Sequence, residues 1–258
     1  MTPHLIAGLA LTSLVGASLG LLGAGGSIIM LPVLVYVIGV EPHAAVPLSL
    51  AIVGTTSLSS VAVRSKESEI HWRTALIFGS VALGGSYLGS RFSFLVPGSM
   101  LLLSFGLLLV VVGVRMWREP DVTEDVTRAR RRPALMLAAG SFVGLLTGFL
   151  GVGGGFLIVP ALVRVGGLGI SQAIRTSLVV IAMSSFAGLA AHLAHGNNLA
   201  VGLAGPLTIA ALVGLAVGTR GARHVSSEHL RRGFAGFVTS VGSALIFVNT
   251  PAAIRLLR

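Results

Sequence analysis

Charged residues in this chain collect in short clusters, and between the clusters lie apolar runs of about 20 residues. A helix of that length rises about 30 Å, the depth of a bilayer's hydrocarbon core. Backbone amides in hydrocarbon find no water, so runs of this kind must bond internally as helices. Composition agrees. The chain is 54% hydrophobic and 10% charged, against about 25% charged in a soluble domain, and its mean hydropathy is +0.94. The expected fold class is therefore all-α, a polytopic integral membrane protein. Candidate segments span about 5–22, 27–39, 44–63, 74–94, 99–117, 134–150, 156–168, 172–191, 200–218 and 231–249. Two of them, 27–39 and 156–168, hold 13 residues each; at 1.5 Å per residue they reach about 20 Å and fall short of a crossing. The opening run lacks a basic leader and continues past the length of a signal peptide, so it is read as the first membrane segment.

The two halves repeat. At a shift of 128 residues, Gly16, Gly20, Gly23, Gly25, Gly26 and Pro32 fall on Gly144, Gly148, Gly151, Gly153, Gly154 and Pro160. In the same register "PLSL" (Pro47 to Leu50) falls on "RTSL" (Arg175 to Leu178). With one more residue of shift, "GSYLGSR" from Gly85 falls on "GLAVGTR" from Gly214. The expected organisation is a first membrane repeat over 1–117, a linker over 118–133 and a second repeat over 134–258.

Basic residues decide how the copies face. The loop at 64–73 of the first half holds Arg64, Lys66 and Arg73, while its counterpart at 192–199 holds none. The loop at 91–98 holds only Arg91, while its counterpart holds Arg220, Arg223, Arg231 and Arg232. With ten segments, 15 Lys and Arg residues gather on one side and three on the other; with eight segments the split is 11 to 7. Basic loops stay in the cytoplasm, which favours five plus five segments in inverted repeats over a parallel four-plus-four arrangement. The linker is then cytoplasmic, both termini are outside, and the membrane is the cytoplasmic one. The net charge of +10 belongs to these loops rather than to a nucleic-acid surface.

Two glycine clusters break the oily pattern, "GAGGS" at Gly23 to Ser27 and "GVGGG" at Gly151 to Gly155. Each glycine disfavours helix by about 1 kcal/mol relative to alanine. Irregular backbone at membrane depth survives only inside protein or against a cavity. There it offers free N–H groups and the positive end of the next half-helix, which suit an anion. Broken helices at matching positions of inverted repeats mark a substrate site. Close helix packing is the other reading of the clusters, and the one taken for Gly16/Gly20, Gly85/Gly89 and Gly214/Gly218. The candidate substrate-binding set is Gly23, Gly25, Gly26, Ser27, Ser49, Gly151, Gly153, Gly154, Gly155, Arg175, Thr176 and Ser177. Ser49 and Ser177 are preferred among many hydroxyls because they occupy one place in both repeats. Arg175 either pairs with an anion or snorkels to the surface.

All eight acids fall in loops, which argues against a carboxylate-based cation carrier and against paired-carboxylate catalysis. There is no cysteine, no P-loop lysine after the glycines and no nucleophilic triad. His192 and His195 have a metal-like spacing but no carboxylate or thiolate beside them. No catalytic residue, metal or cofactor is expected.

At these residues the chain resembles the TauE/SafE family of sulfite and organosulfur-anion exporters. The resemblance rests on the two "G-x-G-G-[GS]-x4-P" clusters (Gly23 to Pro32, Gly151 to Pro160), on "A-x-x-T-S-L" from Ala173 to Leu178, and on "I-H-W-R-T-A" from Ile70 to Ala75. It covers nearly the whole chain outside the linker. It implies a secondary transporter for a small anion, such as sulfite, a sulfonate or another organosulfur or carboxylate anion, working by alternating access among membrane lipid. With no carboxylate inside the segments, a coupled proton would ride on the substrate or on a histidine. An anion channel of the same build is the alternative, and a membrane-embedded enzyme a remoter one. Two positions depart from the family pattern: "PLSL" stands where a Thr-Ser-Leu is usual, and Ser27 takes the place of the last glycine.

Overall fold

A computed structural model describes residues 3–22, 26–64, 70–118, 133–195, 201–221 and 227–256. The linker expected at 118–133 falls almost wholly outside them, as do Gly23 and Gly25. The described residues form helices and connecting turns: α1 (Pro3–Leu22), a composite α2, α3 (Pro42–Arg64), α4 (Trp72–Ser93), α5 (Gly98–Arg118), α6 (Pro133–Leu150), α7 (Gly155–Arg164), α8 (Ile170–Ala194), α9 (Val201–Gly221) and α10 (Ser227–Leu256). The composite α2 runs as a 3-10 turn over Gly26–Ile29, one α turn over Met30–Pro32 and a π turn over Val33–Val37. Every expected segment has its helix within a few residues, except that α10 extends well beyond 231–249 at both ends. Five described helices are long and apolar enough to cross a bilayer. The ten-residue α7 rises only about 15 Å.

Repeat equivalence extends to individual hydrogen bonds. At the end of α2 the Ile38 amide donates to Val33 O (3.1 Å) and Val40 to Leu34 O (2.9 Å). At the end of α7, 128 residues on, Gly166 donates to Ala161 O (3.3 Å) and Leu168 to Leu162 O (3.2 Å). Both ends turn through a left-handed glycine, Gly39 at φ +81° and Gly167 at φ +63°, as helix C-termini commonly do.

Helix directions settle the inversion. A Cβ on Gly54 of α3 would meet Ser185 Cβ at 3.3 Å, and one on Gly188 would meet Leu50 at 3.1 Å. So α3 and its own repeat-equivalent α8 run antiparallel. The other equivalent pair does the same: Gly106 of α5 faces Leu245 of α10, while Gly113 faces Ala235. Parallel repeats would align such pairs. The cross-pairs α1 with α9 and α4 with α6 run side by side in the same direction, as inversion requires: Gly16 meets Ala211 and Gly20 meets Leu215, while Gly144 meets Ala82 and Gly148 meets Ser86. At these points a Cβ would overlap the neighbour's backbone. The small-residue spacings are helix–helix contacts in which the absent side chain lets two backbones touch. The core cluster fills the centre, with α3 and α8 contributing Val46, Leu50, Val53, Leu178 and Ile181.

Candidate functional site

In the second repeat the chain leaves α6 with Gly151 N–H bonded to Thr147 O at 2.8 Å. Gly151, Gly153 and Gly154 then take positive φ of +71°, +70° and +60°. An L side chain in that region costs about 1–2 kcal/mol, which is why glycine stands there. Gly154 caps α7, its carbonyl accepting from Leu157 at 2.9 Å and Ile158 at 3.0 Å. Among the described residues, Val152, Gly153 and Gly154 donate no backbone hydrogen bond, yet residues 151–155 are all buried. Buried amides are nearly always paired. Three consecutive bare ones, at the positive end of a half-helix, form a concave set of donors suited to an anion.

The first repeat brings Ser27, the last residue of its glycine cluster, to the same place. A Cβ on Gly153 would lie 2.5 Å from Val53 of α3, 3.3 Å from Ile181 of α8 and 3.5 Å from Ser27 Cβ. Val53 and Ile181 are equivalent at the 128-residue shift. Gly153 therefore sits between symmetry-related walls, against the first residues of α2. Ser27 is fully buried, and its hydroxyl has no partner among the described residues. Such an orphan costs about 1–3 kcal/mol, a cost that a bound hydrogen-bond acceptor would offset.

The expected site residues divide. Ser27 and Gly153 converge, while Gly154 packs on Thr147 and Val143 of α6; Gly26 opens the 3-10 turn of α2 and Gly155 opens α7. Gly151 packs against Val46 of α3. Ser49 is buried one turn from Val53, its hydroxyl unpartnered among the described residues. Arg175 is half-buried, and its Nη1 atom is likewise buried without a partner. Ser177 donates to Ile174 O at 2.7 Å within its own helix. Thr176 accepts a bond from the His71 amide at 3.3 Å, tying the start of α8 to the start of α4 across the two repeats. That tie gives Thr176 a structural duty. Thr176→Val should strand the His71 amide and lower stability by about 1–3 kcal/mol, with Thr176→Ser restoring it; thermal unfolding in detergent measures both.

The His192 and His195 rings each use a nitrogen on backbone, Nε2 with Gly148 O at 3.3 Å and Nδ1 with Ala191 O at 2.7 Å. Phe94 lies against both rings. Among the described residues no three metal-ligating side chains cluster.

Two residues gain prominence that the sequence did not single out. Ser57 and Ser185 are fully buried with hydroxyls unpartnered among the described residues, and the 128-residue shift superposes them. That shift was the available signal, but it marks Ser49 and Ser177 equally.

Comparison with known proteins adds an independent line. The chain is 39% identical over 173 residues, 65% of its length, to a "Probable membrane transporter protein" of Xylella fastidiosa strain 9a5c, covering 66% of that protein. It is 38% identical over 225 residues to one from strain Temecula1, covering 84% of this chain and 85% of the relative. It is 26% identical to the probable membrane transporter protein YunE of Bacillus subtilis over 73% of this chain and 78% of the relative. No solved structure gives a significant match. The profile described as "Sulfite exporter TauE/SafE" matches residues 8–245. Spanning both repeats and both glycine breaks, that match means that this multi-pass membrane protein belongs to the sulfite exporter TauE/SafE family.

Proposed function

We propose that the protein is a secondary transporter that moves a small oxyanion, such as sulfite, a sulfonate or a related organosulfur or carboxylate anion, across the cytoplasmic membrane by alternating access. The observation that carries this reading is the run of bare, buried amides at Val152, Gly153 and Gly154 lying against the unpartnered Ser27 at the meeting of two inverted repeats. Gly153 and Gly154 offer N–H groups, Ser27 and Ser49 offer hydroxyls, and Arg175 offers positive charge near the start of α8. The family and the relatives' names support transport; the anion is read from the donors. Glu228, expected in a loop, falls in the first turn of α10, ahead of that helix's apolar stretch at Val238–Pro251. With no Asp or Glu in the apolar runs, a coupled proton travels on the anion or on a histidine. By the basic-loop bias, the linker faces the cytoplasm and both termini face outside.

The test is counterflow in proteoliposomes. Purified protein preloaded with unlabelled sulfite should accumulate labelled sulfite transiently and saturably. Unitary currents in a planar bilayer would instead identify an anion channel of the same build. Absence of both for sulfite, sulfonates and carboxylates would refute the reading.

A further inference from the structure

Ser57 on α3 and Ser185 on α8 occupy one position in the two repeats. Each is 0% exposed, and neither hydroxyl has a hydrogen-bond partner among the described residues. Their immediate neighbours behave otherwise. Thr56 and Ser184, also equivalent at the 128-residue shift, both donate to carbonyls of their own helices, Ile52 O and Ile181 O (3.2 Å). Back-bonding of this kind is the ordinary way a helical hydroxyl is satisfied, and Thr55, Ser59 and Ser177 use it as well. Ser49 and Ser60 are also bare among the described residues, but their equivalents are the back-bonded Ser177 and a glycine, Gly188. On these two helices only Ser57 and Ser185 are bare at the same position of both repeats among the described residues. The bare pair is therefore a particular feature, repeated in both halves.

Its place in the fold supplies a reason. Ser57 is one helical turn from Val53, and Ser185 one turn from Ile181, so each shares a helix face with a wall of Gly153. Because α3 and α8 are antiparallel, with Gly54 against Ser185 and Leu50 against Gly188, the symmetric midpoint of their contact lies between Thr55 and Thr56 on α3 and between Met183 and Ser184 on α8. The two serines lie on opposite sides of it. Each is only about two residues, or roughly 3 Å of rise, from it. Two hydroxyl donors thus flank the stretch of α3 and α8 against which Gly153 packs.

We propose that Ser57 and Ser185 are paired ligands of the transported anion, one from each repeat, each donating to a different oxygen. This rests on the reading of the central site as an anion site. The pair sets the substrate class. An oxyanion with three oxygens on one centre, sulfite or a sulfonate, has an acceptor for each serine and a third for the Gly153 and Gly154 amides. A carboxylate carries its lone pairs on two oxygens only, and chloride is one spherical acceptor, so neither gives each of the three donor sets an oxygen of its own. Hydroxyls carry no fixed charge, so the anion is held without being trapped, as a carrier requires.

The test uses the full chain in detergent, with unfolding followed against graded sodium sulfite, methanesulfonate, acetate and chloride. Wild type should be stabilised by sulfite and methanesulfonate at lower concentrations than by acetate, and not by chloride at the same ionic strength. Ser57→Ala and Ser185→Ala should each weaken the apparent affinity for sulfite about tenfold, and the double variant should bind more weakly than either, with coupling between them because they share one ligand. Without anion, both variants should unfold no earlier than wild type, because each removes a buried hydroxyl that makes no bond. Ser59→Ala, which removes a hydroxyl bonded to Thr55 O at 2.9 Å, controls for altered helix α3. A double variant that binds sulfite as tightly as wild type overturns the pairing while leaving the anion site standing. A wild type that none of these anions stabilises overturns the anion reading, and the pairing with it.

Discussion

Gly153→Leu is expected to abolish anion flux while the protein still reaches the membrane. Two separate effects act at this position. The backbone stands at φ +70°, where any L residue costs about 1–2 kcal/mol. The new Cβ would also lie 2.5 Å from Val53 and 3.3 Å from Ile181, pushing apart α3 and α8 where the break at 152–154 packs against them. Gly39 separates the two effects. It has φ +81° but nothing within 4 Å of its missing Cβ, so Gly39→Ala carries the strain alone. Flux in proteoliposomes should therefore fall by at least about a hundredfold in Gly153→Leu, corresponding to about 2.7 kcal/mol or more of lost stabilisation, and stay within a fewfold of wild type in Gly39→Ala. Size-exclusion behaviour and helical circular dichroism should show both variants folded. Flux in Gly153→Leu equal to that of wild type would mean that the break is only a packing device.

The second large effect concerns stability. Gly16→Val in α1 and Gly144→Val in α6 should each destabilise the protein by about 1–3 kcal/mol through overpacking, and by similar amounts. The missing Cβ of Gly16 lies 2.7 Å from the carbonyl carbon of Ala211, and that of Gly144 lies 2.7 Å from the carbonyl carbon of Ala82. Backbone cannot rotate away as a side chain can, so the helices must separate along their length. Loss of close van der Waals contact is costly where no hydrophobic effect drives helices together. Gly84 of α4 has nothing within 4 Å of its missing Cβ, and Gly84→Val should be nearly silent apart from helix propensity. Melting temperatures in one detergent compare all three. A large loss at only one of Gly16 and Gly144 would mean that the two halves are not equivalent in packing.

Much of this architecture is legible in the chain. Hydrocarbon allows few solutions for a run of apolar residues, so segment positions follow from length and charge alone. Duplication makes each inference twice testable, and the swap of basic loops already implies that α3 and α8 oppose each other. The glycine clusters are legible because glycine is costly in a helix and so is rarely repeated without cause. The division of labour among hydroxyls is not. Ser49, Ser57, Ser177 and Ser185 all carry the same group at repeated positions, and whether each bonds its own turn depends on rotamer and neighbours. Ser177 is satisfied by Ile174 O, whereas Ser57 is bare. Thr176 illustrates the same limit: its partner is an amide 105 residues away in sequence, and only packing brings the two together. The 3-10 and π winding of α2, where α7 keeps an ordinary α-helix, also has no marker in composition, since both segments carry an equivalent proline.

The central claim is that an oxyanion sits where the second glycine break meets Ser27 of the first. Selenite has the shape and charge of sulfite and carries an anomalous scatterer. An anomalous difference map at the selenium edge, from crystals of the protein grown with selenite, locates the ion without reference to any variant. The account predicts one strong peak bounded by Ser27, Ser57, Ser185 and the amides of Val152 to Gly154. Peaks confined to the arginine-bearing loops, with none between α3 and α8, would contradict it.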